Sequence, residues 1–131
     1  MSAGETALAG YRWKNRLLLV FAPDADSALC RRQQEMLLVV EHGLNERNIV
    51  VIFVIEDALS TKGKPTPNVS AVDLRDAYDA LPHEFRVVLI GKDSGVKLRQ
   101  EEPISMADLF ALIDSMPMRK QEMGRRSERI G

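Results

Sequence analysis

The sequence predicts a single α/β domain with the element order β-α-β-α-β-β-α, built around a buried sheet. Three observations carry this expectation. Apolar runs at 17–22 and 48–55 have the length and composition of strands buried on both faces. The segment between them has helical spacing, so the two strands should run parallel through a right-handed crossover. After a second helical segment, residues 85–99 read as strand, Gly-containing turn and returning strand, an antiparallel hairpin. Two parallel strands, a closing hairpin and helices on both faces make the thioredoxin-like layout.

The chain has 131 residues, 45% apolar and 28% charged, with a net charge of −1. That is enough for one domain with one core. Near-neutral charge argues against an electrostatic nucleic-acid binder. No apolar run approaches the roughly 18–20 residues of a membrane helix. Residues 1–10 lack the basic flank and apolar stretch of a signal peptide and are expected to form a flexible leader. The chain as written reads as soluble and cytoplasmic, or as exported if a signal peptide has been removed. The domain proper is expected over 11–123, with a basic flexible tail over 124–131. A single cysteine excludes an internal disulfide and a CxxC pair.

In chain order, Trp13 is expected as a core or edge anchor before the first strand, 17–21. The first helix is expected over 27–43, with Leu29, Met36, Leu37, Val40 and Leu44 inward and Gln33 as a gap in the stripe. Asp26 or Ser27 caps its start and Gly43 closes its end. The second strand spans 48–55. Residues 56–68 contain a polar, two-proline loop at 61–67, the expected mobile insertion. Ser70-Ala71-Val72-Asp73 resembles a capping box with Asp in the place of Glu. The helix behind it turns Leu74, Ala77, Tyr78 and Leu81 to one side and stops at Pro82. The hairpin turn is Gly91-Lys92-Asp93-Ser94-Gly95. Ser105 caps the last helix, whose inner stripe is Met106, Leu109, Phe110 and Ile113 and which ends at Met116-Pro117.

One stretch suggests chemistry. Pro23-x-x-x-Ser27-x-x-Cys30 places the lone thiol in the first turns of a helix that follows a strand. Its spacing is similar to the Pro-x-x-x-Thr/Ser-x-x-Cys motif of peroxiredoxins. A thiolate nucleophile needs surroundings that favour negative charge, which helix N–H groups and the dipole supply. In this reading Cys30 is the nucleophile, Ser27 the hydroxyl partner and Pro23 the shield against water. Arg86, at the start of a later strand, matches the peroxiredoxin arginine that stabilises the thiolate. Asp24 and Asp26 would oppose thiolate formation, while Arg31 and Arg32 would favour it. The other reading makes Cys30 a small core residue. A thioredoxin-style site would put Ser27 in the place of the attacking cysteine. His42 and His83 lie far apart in sequence with no ligand cluster around them, so no metal or other cofactor is implied.

Three segments resemble a known family. They are Tyr11-Arg12-Trp13-Lys14-Asn15-Arg16, the run from Leu89 through the hairpin turn to Lys97, and the run from Ile113 through Pro117 to Met123. They are similar to a bacterial domain-of-unknown-function family whose domain also occurs in animal sushi-repeat and coiled-coil-domain-containing matrix proteins. The resemblance implies a peroxiredoxin-like, thioredoxin-like fold. Two functions follow as expectations. The first is a one-cysteine thiol oxidoreductase or peroxidase acting on a peroxide or disulfide, with an external thiol as reductant. The second is a non-catalytic protein-interaction domain, binding a protein partner through loop 61–67 or the basic tail.

Overall fold

Strand β1 (Arg16–Ala22) has no exposed residue and is the centre of the molecule. The computed structural model describes residues 3–61 and 64–130. β1 pairs in parallel with β2 (Ile49–Ile55) and antiparallel with β4 (Arg86–Ile90). β2 carries the short β3 (Ala58–Ser60), and β4 carries β5 (Val96–Gln100), both antiparallel. The five-stranded order is β3-β2-β1-β4-β5. The parallel pair and the closing hairpin are as expected; β3 is an addition inside a segment read as loop.

Side chains alternate across β1, so one strand feeds two cores. Leu17, Leu19 and Phe21 face Leu74 and Tyr78 of the segment around helix α4 (Ala71–Ala77). Leu18, Val20 and Ala22 face helices α2 (Ala28–Leu38), α3 (Glu41–Glu46) and α5 (Met106–Asp114). Burying each large aliphatic side chain contributes about 1.5–3 kcal/mol. Ser70 and Ser105 cap α4 and α5 as expected, accepting from the Asp73 and Asp108 N–H groups.

Four elements depart from expectation. Residues 3–8, read as part of a leader, form helix α1 (Ala3–Leu8), which packs on α4 and buries Leu8. A Cβ at Gly4 would sit 2.6 Å from the Asp73 carbonyl oxygen, so only glycine allows this approach. The single helix expected over 27–43 is two, because the chain leaves helical geometry at Val39–Val40. Gly43 therefore lies inside α3 instead of closing a helix, with its α-carbon against the Phe110 ring. The helix expected to run to Pro82 stops early: α4 ends at Ala77, and Leu81 is half exposed. Finally, Pro117 ends α5 but also opens helix α6 (Pro117–Ile130), which continues through the segment expected as a frayed tail. Gly131 lies outside the described residues. No described helix is long and apolar enough to cross a membrane.

Candidate functional site

β1 delivers the chain to Pro23, and a tight acidic turn follows. Within it, Asp24 Oδ1 accepts from the Asp26 N–H at 2.9 Å, and the Ser27 N–H donates to the Asp24 carbonyl. Ser27 caps α2: its Oγ accepts from the Cys30 N–H at 3.3 Å. Cys30 and Ser27 are thus brought together, but the serine oxygen serves the main chain of Cys30.

The thiol points inward. Cys30 is 1% exposed and belongs to the cluster of Val20, Ala22, Phe85 and Val87. The buried face of α2 is Cys30, Gln33 and Leu37: Leu37 is inward as expected, Cys30 takes the place expected of Leu29, and Leu29 is exposed. Burial pushes the Cys30 thiol up from its ordinary value, and the Asp24 carboxylate pushes the same way. Arg31 is occupied with Asp26 at 2.9 Å on the surface, and Arg32 is exposed. Pro23 is half-buried at the end of β1.

Arg86 does not join them. In the antiparallel register it lies opposite Phe21, so its side chain leaves the sheet on the α4 face. Cys30 lies on the other face, with Phe85 and Val87. The Arg86 guanidinium donates to the Asp79 carbonyl at 2.9 Å and pairs with Glu84 and Glu101 at 3.2 and 3.1 Å. The sheet separates the expected cation from the expected nucleophile.

A second constellation sits at the opposite end of β1. Arg16, 1% exposed, donates to the Arg47 carbonyl at 2.9 Å and pairs with Glu122 of α6 at 3.1 Å. Lys92, from the hairpin turn, pairs with the same Glu122. Arg47 grips Asp114 through Nε and Nη2 at 3.0 and 2.9 Å and lies over the Phe110 ring at 4.0 Å. Arg119, itself buried, reaches Asp114 at 3.0 Å and Glu46 at 3.5 Å. Burial alone would raise the Glu122 carboxyl, but hydrogen bonds from Lys92 and Arg16 outweigh it and hold it below its ordinary value. Asp114 is held low chiefly by Arg47. This network fastens α6 to the sheet. Residue chemistry did not single it out in the sequence, although Arg16, Lys92, Asp114, Arg119 and Glu122 all lie in the three segments that carry the family resemblance.

An open groove of about 380 Å³ lies between α2–α3 and β2–β3. Leu37, Leu38, Leu44, Val51 and Phe53 line it, and Thr61 and Lys64 stand at its rim. Its floor is apolar, and its polar groups are Gln34, Glu41, Asn45, Ser60, Thr61 and Lys64. Part of the 61–67 loop lies outside the described residues. No three His, Cys, Asp or Glu side chains gather as metal ligands among the described residues.

The family model described as "Domain of unknown function (DUF4174)" matches residues 7–122. Sushi repeat-containing protein SRPX of Rattus norvegicus is 34% identical over 114 residues, covering 84% of this chain and 25% of that protein. Coiled-coil domain-containing protein 80 of Danio rerio is 29% identical over 136 residues, covering 91% of this chain and 16% of its own length. The chain therefore spans a quarter or less of these relatives. Among solved structures, a reduced 2-Cys peroxiredoxin of Plasmodium vivax aligns with a TM-score of 0.63 at 18% identity. That alignment covers 87% of this chain and 84% of the peroxiredoxin chain, and it shows the thioredoxin-like fold.

Proposed function

This chain belongs to the family described as Domain of unknown function (DUF4174), and we propose that it is a protein-interaction domain on a peroxiredoxin-like framework, with Cys30 acting as core packing. The carrying observation is the disposition of Cys30 and Arg86. The thiol is 1% exposed, on one face of the sheet, and the arginine is engaged by Glu84 and Glu101 on the other. A peroxide-reducing thiol must be reachable and largely ionised. Burial and Asp24 both act against ionisation here. The relatives support the same reading: in each, the matching region is a minor part of a much longer chain named for its repeats or coiled coil.

The pH dependence of Cys30 alkylation, with sulfenic-acid trapping after peroxide, tests this reading on the wild type and on Arg86→Ala. The expected result is slow labelling, a thiol titrating above the free-cysteine value of about 8.5, and no response to loss of Arg86. Fast peroxide oxidation of a thiolate titrating well below that value would establish the one-cysteine peroxidase instead. In that case Cys30, Ser27, Arg86 and Pro23 would take the roles expected from the motif.

A further inference from the structure

Trp13 is 57% exposed, although tryptophan is among the most apolar side chains in the chain and was expected to anchor the core or an edge. Its backbone is left-handed, with φ 67°, a conformation rarely adopted by a bulky residue. The surrounding turn is nonetheless tied down by hydrogen bonds. The Trp13 N–H donates to the Lys92 carbonyl at 2.7 Å, and the Lys14 and Asn15 N–H groups donate to the Tyr11 carbonyl at 3.0 and 2.9 Å. Asn15 Nδ2 donates across to the Asn48 carbonyl. The turn therefore holds the indole out in solvent against the local preference of both backbone and side chain.

Both sequence neighbours of the indole are cations. The Arg12 guanidinium stacks over the indole at 4.9 Å from its centroid. Stacking fixes the plane of a guanidinium while leaving its N–H edge free for a carboxylate. Lys14 flanks the ring in sequence and, like Arg12, enters no ion pair among the described residues. No Asp or Glu occurs between Glu5 and Asp24. Lys92, whose carbonyl accepts the Trp13 N–H, is already paired with Glu122.

We propose that Arg12, Trp13 and Lys14 form a docking knob for an acidic peptide segment of a protein partner. An apolar side chain of the partner rests on the indole, and carboxylates on either side pair with Arg12 and Lys14. An exposed, pre-positioned Trp beside Arg is the composition of an interface hot spot. Two cations flanking Trp13 in sequence, without an ion pair among the described residues, suit a short acidic motif. A polyanion would need a longer basic track, and the next cation along this segment, Arg16, is buried and paired with Glu122. The proposal rests on the interaction-domain reading and assigns it a surface.

The chain contains one tryptophan, so its fluorescence reports this site alone. A random 12-residue peptide library is panned on the full chain, and clones that also bind Trp13→Ala are removed. The strongest remaining peptide is synthesised and titrated at 150 mM salt, by Trp13 emission for the wild type and by calorimetry for the wild type and every variant. Expected are clones with Asp or Glu flanking an apolar residue and a saturable blue shift of Trp13 emission. Trp13→Ala should weaken binding about 30-fold, a hot-spot loss, and Arg12→Gln or Lys14→Gln should weaken it several-fold and reduce its salt dependence. Trp13→Gly, whose backbone fits the turn, separates lost binding from lost folding. Absence of Trp13-dependent clones, or clones that are neutral or basic, would overturn the proposal. So would a Trp13 shift produced by a sulfated oligosaccharide and by no peptide. A reactive Cys30 with intact peptide binding would sink the interaction-domain reading and leave the knob standing. An inert Cys30 without Trp13-dependent peptides would do the reverse.

Discussion

Gln33 and the main chain of Ile104 form a reciprocal amide pair: the Ile104 N–H donates to Gln33 Oε1 at 2.7 Å, and Gln33 Nε2 donates to the Ile104 carbonyl at 3.2 Å. Gln33 has no exposed surface and holds the approach to α5 against α2. Gln33→Ala leaves two buried main-chain groups without partners and is expected to cost about 2–3 kcal/mol. Gln33→Leu restores the volume but not the hydrogen bonds, so urea unfolding should show both variants destabilised. Equal stability of Gln33→Leu and wild type would show that the amide pair contributes little.

The Glu122 network makes a second prediction. Glu122→Gln leaves Arg16 and Lys92, both at least nine-tenths buried, without their countercharge. Breaking a buried pair in this way is expected to cost about 3 kcal/mol. In the wild type, the Glu122 carboxyl is lower in the folded chain than its ordinary 4.5, and Asp114 lower than 3.8. Their contribution is therefore present at neutral pH and above those ordinary values. It declines as pH falls below them and is gone below the depressed folded values. Thermal melts between pH 7 and pH 3 should fall across that acid window, and Glu122→Gln should flatten part of the fall.

Helix α1 depends on Gly4. In Gly4→Ala the added methyl meets the Asp73 carbonyl oxygen and the Ala77 Cβ at 2.6 and 2.7 Å, so α1 must move off α4. The helix-propensity gain of Ala over Gly, about 1 kcal/mol, goes to a helix that has lost its contact. Limited proteolysis should cut the variant within residues 3–8 well before the wild type. Equal protection in both would show that α1 does not need this close approach.

Trp13 predicts a gain. A residue with φ 67° carries about 1–2 kcal/mol of left-handed strain, which glycine avoids. The indole is 57% exposed, so its removal gives up less than half of the burial of a core tryptophan. Trp13→Gly should raise the midpoint of thermal unfolding, with stability higher by about 0.5–1 kcal/mol. A lower midpoint would mean that the indole supports the turn and is not held out for a partner.

The fold was legible where pattern and packing agree. β1 and β2 announce themselves because both faces are apolar, and Ser70 and Ser105 because a cap needs only local geometry. The break at Val39–Val40 was not legible, since neither residue is a helix breaker and the interruption comes from packing. Gln33 stood out as a gap, but its partner, the main chain of Ile104, lies 71 residues on. The candidate site was legible only in part. The spacing from Pro23 to Cys30 and the place of Arg86 were both visible. Which face Arg86 takes depends on its register opposite Phe21. With Phe85, Val87, Val88, Leu89 and Ile90 all buried, polarity along the strand does not say which alternation faces Cys30. The ion network was hidden for a related reason: its charges are scattered along the chain and meet only once the sheet has formed.

The bond between Arg16 and Glu122 joins residues 106 positions apart. During synthesis, Arg16 leaves the ribosome long before its countercharge, and β1 waits for β4 to complete its second edge. The central strand of this domain is thus made early and satisfied late. Its folding is an event of nearly the whole chain, with the apolar β1 segment in need of protection until α6 arrives.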